Sequence, residues 1–328
     1  MKPAEQDGSL IICEKEDGNF QVKFVPEVPG KYNITVKING DKLANSPFTV
    51  RVKERQLRIV GELDLKGEML QDPRGIAVNS NGLIAVADKE RHCVLIYDKE
   101  GKFVRKLGCY GQNLGQFNIP TGVTYLNDDE ILVADQLNNR IQQFNVKTGN
   151  FVKSFGKRGT GEGELQNPLT VCLDSEGRVV VADCKNDRIQ VLTKDGKPVF
   201  KFGDSGSEKL SGPTTCIYHK SMFIVSDRWN HSLKVFDSSG EFLNKIGEEG
   251  EANGQLSSPW GLCVEENGNS QNLLVCDRNN GRIQQFTVEG WFTGKTLAGL
   301  QTPIYIATTP DSRILVSDYK TKKIYVLE

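Results

Sequence analysis

Charged side chains recur at regular intervals along this chain and are its first candidates for chemistry. Carboxylates and arginines that share a cleft can support acid–base or anion-binding chemistry. Here they recur at one position of a repeat, so we interpret them as structural: a buried aspartate tied to an arginine and to neighbouring turn amides. The aspartates end short aliphatic runs, and an arginine follows three of them five residues later: Asp88, Asp135, Asp183, Asp227, Asp277 and Asp318, with Arg140, Arg188 and Arg282.

The repeat that carries these aspartates has a period of about 45 residues. Each unit opens with a proline and contains four strand-length runs separated by turn signals, without helical periodicity. Four short strands in such a period are typical of a propeller blade, and six units predict a closed six-bladed β-propeller. The six opening prolines are Pro73, Pro120, Pro168, Pro213, Pro259 and Pro303.

Ring closure is also predicted from the sequence. The last repeat stops at Glu328 after its third strand-like run, while Leu57–Gly61 resembles the fourth runs of the other repeats. We therefore expect residues 57–61 to complete the last blade, which would pair the two otherwise exposed edges of the ring.

These motifs carry a family resemblance. Over residues 56–328 the pattern P-x-G-(V/I)-x-V, followed by (V/A)(A/S)D-x-x-N-x-R-(I/V)-Q-x-F, resembles the NHL repeat. Over residues 8–53 the strings DGNFQVKFVP, GKYNITV and SPFTVRV resemble the second half of a filamin repeat, an immunoglobulin-like β-sandwich. We assign residues 1–53 to the C-terminal part of such a domain and residues 54–328 to the propeller. About 46 residues supply roughly half of the ~100 that a sandwich needs, so we expect an incomplete domain.

A filamin repeat followed by NHL repeats is similar to the C-terminal region of the tripartite-motif NHL family, which has a Brat-like propeller. The resemblance implies a module that recognises RNA, single-stranded or hairpin, or a protein target. In family members that carry an upstream RING, it would be the target-binding end of an E3 ubiquitin ligase; other members would act as post-transcriptional regulators. These residues show no RING ligand spacing and no heptad run, so oligomerisation is expected only through an upstream coiled coil.

The histidines test the main enzymatic alternative, a propeller with a metal in its channel. His92 and His231 occupy equivalent positions of the first and fourth repeats, which a six-bladed ring places opposite each other. Zinc ligands lie ~2 Å from the metal, so these two could share an ion only by reaching into the channel. No P-loop, GxSxG or HExxH motif occurs. We predict a non-enzymatic module without metal or cofactor; a purely structural scaffold remains the third alternative.

Strand order predicts where a ligand would bind. The loop after each repeat aspartate and the connections between blades share one face, which we call the top face. The six loops after the aspartates hold seven basic and two acidic side chains, whereas the connections are acidic in two places. Arginine beside exposed aromatic groups suits stacking on unpaired bases and also suits protein hot spots. The predicted ligand-binding residues are Lys89, Arg91, Arg228, Trp229, Trp260, Arg278, Tyr319 and Lys320.

Composition limits the remaining possibilities. The net charge is −1, so no global field draws the chain to nucleic acid or to a membrane. No apolar run approaches the ~20 residues of a membrane-spanning helix, and the N-terminus lacks the features of a signal peptide. The eight cysteines show no CxxC pairs, which favours reduced thiols in a cytoplasmic protein.

Overall fold

The computed structural model describes residues 9–14, 20–25, 30–35, 37–38, 40–42, 45–52, 57–267 and 270–328. They belong to two compact units, one of residues 1–56 with 266–271 and one of residues 57–265 with 272–328. Both units are built from β-strands. Within the described ranges, no helix is long and apolar enough to cross a lipid bilayer.

The described part of the first unit contains three antiparallel strand pairs: β1 with β2, β3 with β6, and β4 with β5. Alternating apolar and polar residues, as in FQVKF and FTVRV, are typical of strands with one buried face. The bounds are Ser9–Glu14 (β1), Phe20–Val25 (β2), Gly30–Ile34 (β3), Lys37–Ile38 (β4), Asp41–Lys42 (β5) and Phe48–Val52 (β6).

The second unit is the predicted six-bladed propeller, with each blade a four-stranded antiparallel sheet. Blade 1 is Pro73–Val78 (β8), Ile84–Asp88 (β9), Cys93–Tyr97 (β10) and Phe103–Leu107 (β11). Blade 2 is Pro120–Asn127 (β12), Glu130–Asp135 (β13), Arg140–Asn145 (β14) and Phe151–Phe155 (β15). Blade 3 is Pro168–Leu173 (β16), Val179–Asp183 (β17), Arg188–Leu192 (β18) and Pro198–Phe202 (β19).

The remaining blades repeat this order, and in each the strand opened by the repeat proline lines the channel. Blade 4 is Pro213–His219 (β20), Met222–Asp227 (β21), Ser232–Asp237 (β22) and Phe242–Ile246 (β23). Blade 5 is Pro259–Asn267 (β24), Ser270–Asp277 (β25), Arg282–Thr287 (β26) and Phe292–Leu297 (β27). Blade 6 is Pro303–Thr308 (β28), Ile314–Asp318 (β29), Lys323–Leu327 (β30) and Ile59–Glu62 (β7).

The sixth blade confirms the predicted closure of the ring. Strand β7 pairs antiparallel with β30, with Gly61 opposite Val326 and Ile59 opposite Leu327. A backbone hydrogen bond of 2.9 Å from Arg58 to Glu328 extends the pairing toward the C-terminus. The outer strand of blade 6 therefore comes from the start of the propeller sequence, and the edge of β30 is covered.

Six apolar clusters hold the ring together, one between each pair of neighbouring blades. The second strands are the most buried because a neighbouring blade covers each of their two faces; all five residues of Ile84–Asp88 and of Val179–Asp183 are buried. The fourth strands lie at the rim and alternate between exposed and partly buried residues, as in Phe103–Leu107. The seven cysteines of the propeller are free thiols; Cys93, Cys216 and Cys276 are buried, while Cys109 is exposed.

Candidate functional site on the top face

The repeat aspartates organise the top face from beneath. All six are fully buried. In blade 3, Asp183 accepts hydrogen bonds from the Gln166 amide, from Asn186 Nδ2 and from Arg188 Nε at 2.6–2.8 Å, and from Gln190 Nε2 at 3.1 Å. Asp135 and Asp277 have the same set of partners in blades 2 and 5. Each carboxylate thus ties the loop that follows it to the connection from the preceding blade.

In blades 4 and 6, whose sequences differ from the repeat, the buried aspartate carboxylate is bound by different donors. In blade 4, the Lys234 ammonium group lies 3.2 Å from the Asp227 carboxylate. In blades 2, 3 and 5 a glutamine and an arginine contact the aspartate instead. In blade 6, Asp318 accepts four backbone amides, two from the preceding connection and two from its own loop. Burial raises the pKa of Asp135 and Asp227 although their hydrogen bonds favour the charged form.

A second repeated contact joins neighbouring blades across the top face. The residue four positions after the aspartate has a left-handed backbone, and its side chain accepts a hydrogen bond from the amide that precedes the next blade's proline. We call this contact a clasp. The four clasps, at 2.7–3.2 Å, are His92 Nδ1 to Ile119, Asn139 Oδ1 to Asn167, Asp187 Oδ1 to Gly212 and His231 Nδ1 to Ser258. The two histidines therefore serve blade packing.

The clasp is missing on both sides of blade 6. Blade 5 has Gly281 at the clasp position, where a Cβ atom would lie 2.7 Å from the Leu300 carbonyl oxygen. Blade 6 has Lys322 there, and an ammonium group offers no acceptor. Blade 6 is joined to blade 1 by the Ser317 hydroxyl, which donates to the Arg74 carbonyl oxygen at 2.9 Å.

Below the top face the central channel is narrow. Threonine hydroxyls on the inner strands donate to carbonyl oxygens of the next blade, for example Thr121 to Leu169 at 2.9 Å and Thr214 to Trp260 at 3.1 Å. The cavity at this level is about 100 Å³, and a wider one of about 430 Å³ opens toward the opposite face. Among the described residues, no group of three or more His, Cys, Asp or Glu side chains is placed to hold a metal ion.

Four of the predicted binding residues form one continuous stack across blades 4 and 5. The Arg228 guanidinium lies 3.9 Å from the centre of the Trp229 ring and 4.8 Å from that of Trp260. The Arg278 guanidinium also lies near Trp260, 5.2 Å from the centre of its ring. Such distances suit cation–π attraction. Trp229 stays 56% exposed, so one face of the stack is open to solvent.

The stack continues on blades 6 and 1 with a residue that the sequence analysis missed. Arg74 lies 4.4 Å from the centre of the Tyr319 ring, and its Nη2 is 3.0 Å from Asp72 Oδ2. Arg74 follows the opening proline of blade 1, as Trp260 follows that of blade 5, and this shared position was the signal that could have found it. We call the six side chains together the Arg/aromatic row: Trp229, Arg228, Trp260, Arg278, Tyr319 and Arg74.

The two central arginines of the row lack a counter-charge. No ion pair in the described ranges includes Arg228 or Arg278, although Arg228 Nε donates to Ser258 Oγ at 3.2 Å. Arg278 Nε is buried without a hydrogen-bond partner. Burial lowers the pKa of both guanidinium groups, and the charge of Arg278 further lowers the pKa of Arg228. Anionic groups of a ligand would relieve this concentration of positive charge.

The predicted basic residues of blade 1 are placed differently. Arg91 pairs with Glu68 and donates to the Met69 carbonyl oxygen. Lys89 lies 3.1 Å from Glu90 and 3.5 Å from Asp72. These contacts neutralise blade 1. The seven basic side chains predicted in the top-face loops therefore do not form a continuous positive ring, and the positive charge lies in a sector over blades 4 to 6. Lys320 is exposed within that sector and has no ion pair among the described contacts.

Comparison with known families agrees with this architecture. Residues 2–49 match the filamin/ABP280 repeat. The NHL repeat matches residues 70–97, 117–144, 165–192 and 256–286, which lie in blades 1, 2, 3 and 5. Blades 4 and 6 have the same strand order without a match. The arginine and glutamine partners of the aspartate are replaced in both, as they also are in blade 1, where backbone amides bind Asp88.

Relatives of established identity share parts of the chain. "RING finger protein nhl-1" of Caenorhabditis elegans is 40% identical over 73 residues, 22% of this chain and 8% of that protein. "E3 ubiquitin-protein ligase TRIM71" of Xenopus tropicalis is 32% identical over 112 residues, 30% of this chain and 14% of that protein. The matches thus span a small part of each relative.

Among solved structures, a streptogramin B lyase aligns with a TM-score of 0.59 over 83% of this chain and 97% of its own, at 15% identity. At that identity the likeness shows the propeller fold alone. The filamin match and the NHL matches follow one another along the chain, in the order predicted from the sequence. The chain therefore contains a filamin repeat and an NHL-repeat propeller, and its relatives over part of its length include the TRIM71 ligase and nhl-1, which are proteins of the tripartite-motif NHL type.

Proposed function

We propose that the Arg/aromatic row binds single-stranded RNA, and that the chain is the target-recognition module of a tripartite-motif NHL protein. The observation that carries the proposal is the alternation of cations and rings. Arg228 and Arg278 lie against Trp229 and Trp260, and neither arginine pairs with a carboxylate among the residues that the structure describes. Guanidinium groups bind phosphates and stack on bases, and aromatic rings stack on bases of any type.

The exposure of two aromatic rings in the row supports an RNA ligand with unpaired bases. Trp229 is 56% and Tyr319 40% exposed, so both rings offer a face to a base that is not already stacked in a helix. In A-form RNA helices the bases are paired and the deep groove is narrow, which leaves loops and single strands as the targets of aromatic platforms. An RNA hairpin would be bound through its loop.

The chain as a whole would act as the target-binding end of a larger protein. One matched relative bears the name E3 ubiquitin-protein ligase. A ligase or a post-transcriptional regulator needs a module that selects its target, and the top face would provide that selection here.

Fluorescence anisotropy with a labelled single-stranded RNA of about 12 nucleotides tests the proposal. We expect affinity to fall steeply between about 50 and 200 mM salt, because each neutralised phosphate releases counterions. Arg228→Glu combined with Arg278→Glu should abolish binding. A matched control, Lys197→Glu with Lys220→Glu, makes the same charge change on hairpin turns of the opposite face and should leave affinity nearly unchanged.

Two results would overturn the proposal. One is the absence of RNA binding at low salt by a folded wild-type protein. The other is an equal loss of affinity in the Lys197/Lys220 control, because binding would then depend on net charge and not on the row. A hairpin RNA measured in parallel shows whether the loop alone is bound.

A further inference from the structure

A second part of the top face differs from the rest in having no charge. The connection that leads into blade 2, residues 108–119, and the loop after Asp135, residues 136–139, contain no Lys, Arg, Asp or Glu. The equivalent pair of segments in each of the other five blades contains at least one charged residue. We call residues 108–119 and 136–139 the neutral sector.

Hydrogen bonds join the two segments into one surface. Asn138 Nδ2 donates to the Gly111 carbonyl oxygen at 2.9 Å, and the Leu137 amide donates to the Asn118 carbonyl oxygen at 3.0 Å. The guanidinium of Arg140 lies beneath, committed to Asp135 and to carbonyl oxygens of the connection. No cation of blade 2 therefore reaches the surface of the neutral sector.

Large apolar side chains protrude from this surface. Tyr110 is 67%, Leu114 65% and Leu137 44% exposed. Tyr110 is held by an edge-on contact with the His92 ring, with 4.7 Å between centroids. Contiguous exposed apolar groups on a folded domain mark interaction sites more often than chance exposure does.

Comparison with the other blades shows that the fold does not require these residues. The backbone bridge made by Tyr110 is made by Arg158 in blade 3 and by Glu249 in blade 5. Blade 3 likewise has Glu162 in place of Leu114 and Lys185 in place of Leu137. Because the same loops form with charged residues, their apolar identity in blade 2 serves something outside the blade.

We propose that the neutral sector is a docking surface for an uncharged, apolar segment of a protein partner. Charge complementarity identifies the class of occupant: a nucleic acid needs cations for its phosphates, and a charged peptide would lose hydration without gaining an ion pair. Tyrosine and leucine side chains would provide the anchors of a desolvated contact. The surface lies on a different blade from the Arg/aromatic row, so RNA and the partner could occupy the top face together.

Selection of a random peptide library displayed on phage, followed by affinity measurements on isolated peptides, tests the proposal. The variant Tyr110→Arg/Leu114→Glu/Leu137→Lys installs the blade 3 residues and should fold, because blade 3 forms the same loops with them. We expect uncharged peptides rich in Leu, Phe or Trp, whose affinity falls about tenfold or more in the variant. Their affinity should persist in high salt and in Arg228→Glu/Arg278→Glu.

Three outcomes would contradict the proposal. Selection of charged peptides whose binding is weakened by salt would indicate that they bind the positively charged surface over blades 4 to 6. An absence of peptides that prefer the folded wild type over the variant would leave the surface without a partner. Concentration-dependent dimerisation of the wild type that the variant abolishes, measured by analytical ultracentrifugation, would make a second copy of this chain the occupant. RNA affinity of the variant should remain that of the wild type, so this test is separable from that of the Arg/aromatic row.

Discussion

The Tyr305 hydroxyl group donates a hydrogen bond to the Leu169 carbonyl oxygen, 3.3 Å away on the opposite side of the ring. Tyr305 belongs to blade 6 and Leu169 to blade 3, so the contact spans the channel. Burial raises the pKa of Tyr305 to about 12. The bond gives blade 6 an attachment that does not depend on either neighbouring blade.

This contact predicts sensitivity to alkali. The folded protein keeps the Tyr305 phenol protonated up to about pH 12, whereas an unfolded chain releases the proton near pH 10, so the contribution to stability is complete below about pH 10 and is lost as the pH rises from there. Urea unfolding at about pH 9 and about pH 11 measures the fall. Tyr305→Phe should cost about 0.5–1.5 kcal/mol at about pH 9 and should reduce the further loss at about pH 11. If the variant loses as much stability as the wild type between these two pH values, the alkali sensitivity would come from Tyr97 and Tyr125. Burial raises the pKa of both of these tyrosines as well.

The clasp between blades 4 and 5 predicts a graded response at His231. Replacement by glycine, which accepts the left-handed backbone as Gly281 does, removes the acceptor for the Ser258 amide and should lower the free energy of unfolding by about 0.5–1.5 kcal/mol. Replacement by asparagine should retain most of the stability, since Asn139 makes the same contact in blade 2. Equal stabilities for the two variants in chemical denaturation would show that the clasp contributes nothing.

Closure by β7 predicts a large effect of a short deletion. Removing residues 57–62 exposes the edge of β30 and takes Leu57 and Ile59 from the apolar cluster between blades 5 and 6, so the melting temperature should fall sharply. Removal of residues 1–56 leaves β7 in place and is the control, with a small expected change. Similar melting temperatures for the two deletions would mean that strand pairing at the seam is not what closes the ring.

Stacking predicts the effect of single aromatic substitutions on RNA affinity. Trp229→Ala removes an exposed ring and should cost about 1–3 kcal/mol of binding free energy in fluorescence anisotropy. Trp291→Ala removes a ring that is more exposed, on a hairpin turn of the opposite face, and should leave affinity unchanged. Loss of affinity in both variants would point to a general surface effect, against a site at the row.

Sequence reasoning predicted the propeller and its seam because both depend on local patterns. The proline that opens each blade and the aspartate that ends its second strand recur in phase, and their positions do not need the third dimension. The grouping of Arg228, Trp229, Trp260 and Arg278 also followed from strand order, since three of them lie in equivalent loops.

The contacts that sequence reasoning missed depend on ring closure or on loops that are distant in the chain. Arg74 meets Tyr319 only because the last blade returns beside the first. Arg91 is neutralised by Glu68, which lies in the connection leading into blade 1, 23 residues earlier in the chain. The clasps depend on left-handed backbones at residues such as Asp187, where the side chain alone indicates no partner.

The four clasps join blades 1 to 5 into a single arc, and blade 6, which contains strands from both ends of the propeller sequence, is outside it. Blade 6 is thus expected to be the gate of the ring, meaning the blade that separates first from its neighbours. The free energy of this local opening, measured by amide hydrogen exchange, should be lower for blade 6 than for blades 1 to 5. The gate also divides the Arg/aromatic row, because Tyr319 would move with blade 6 while Arg278 stays on the arc. A ligand that contacts both Tyr319 and Arg278 would bind only the closed ring. Such a ligand would shift the equilibrium toward the closed state and so stabilise the ring.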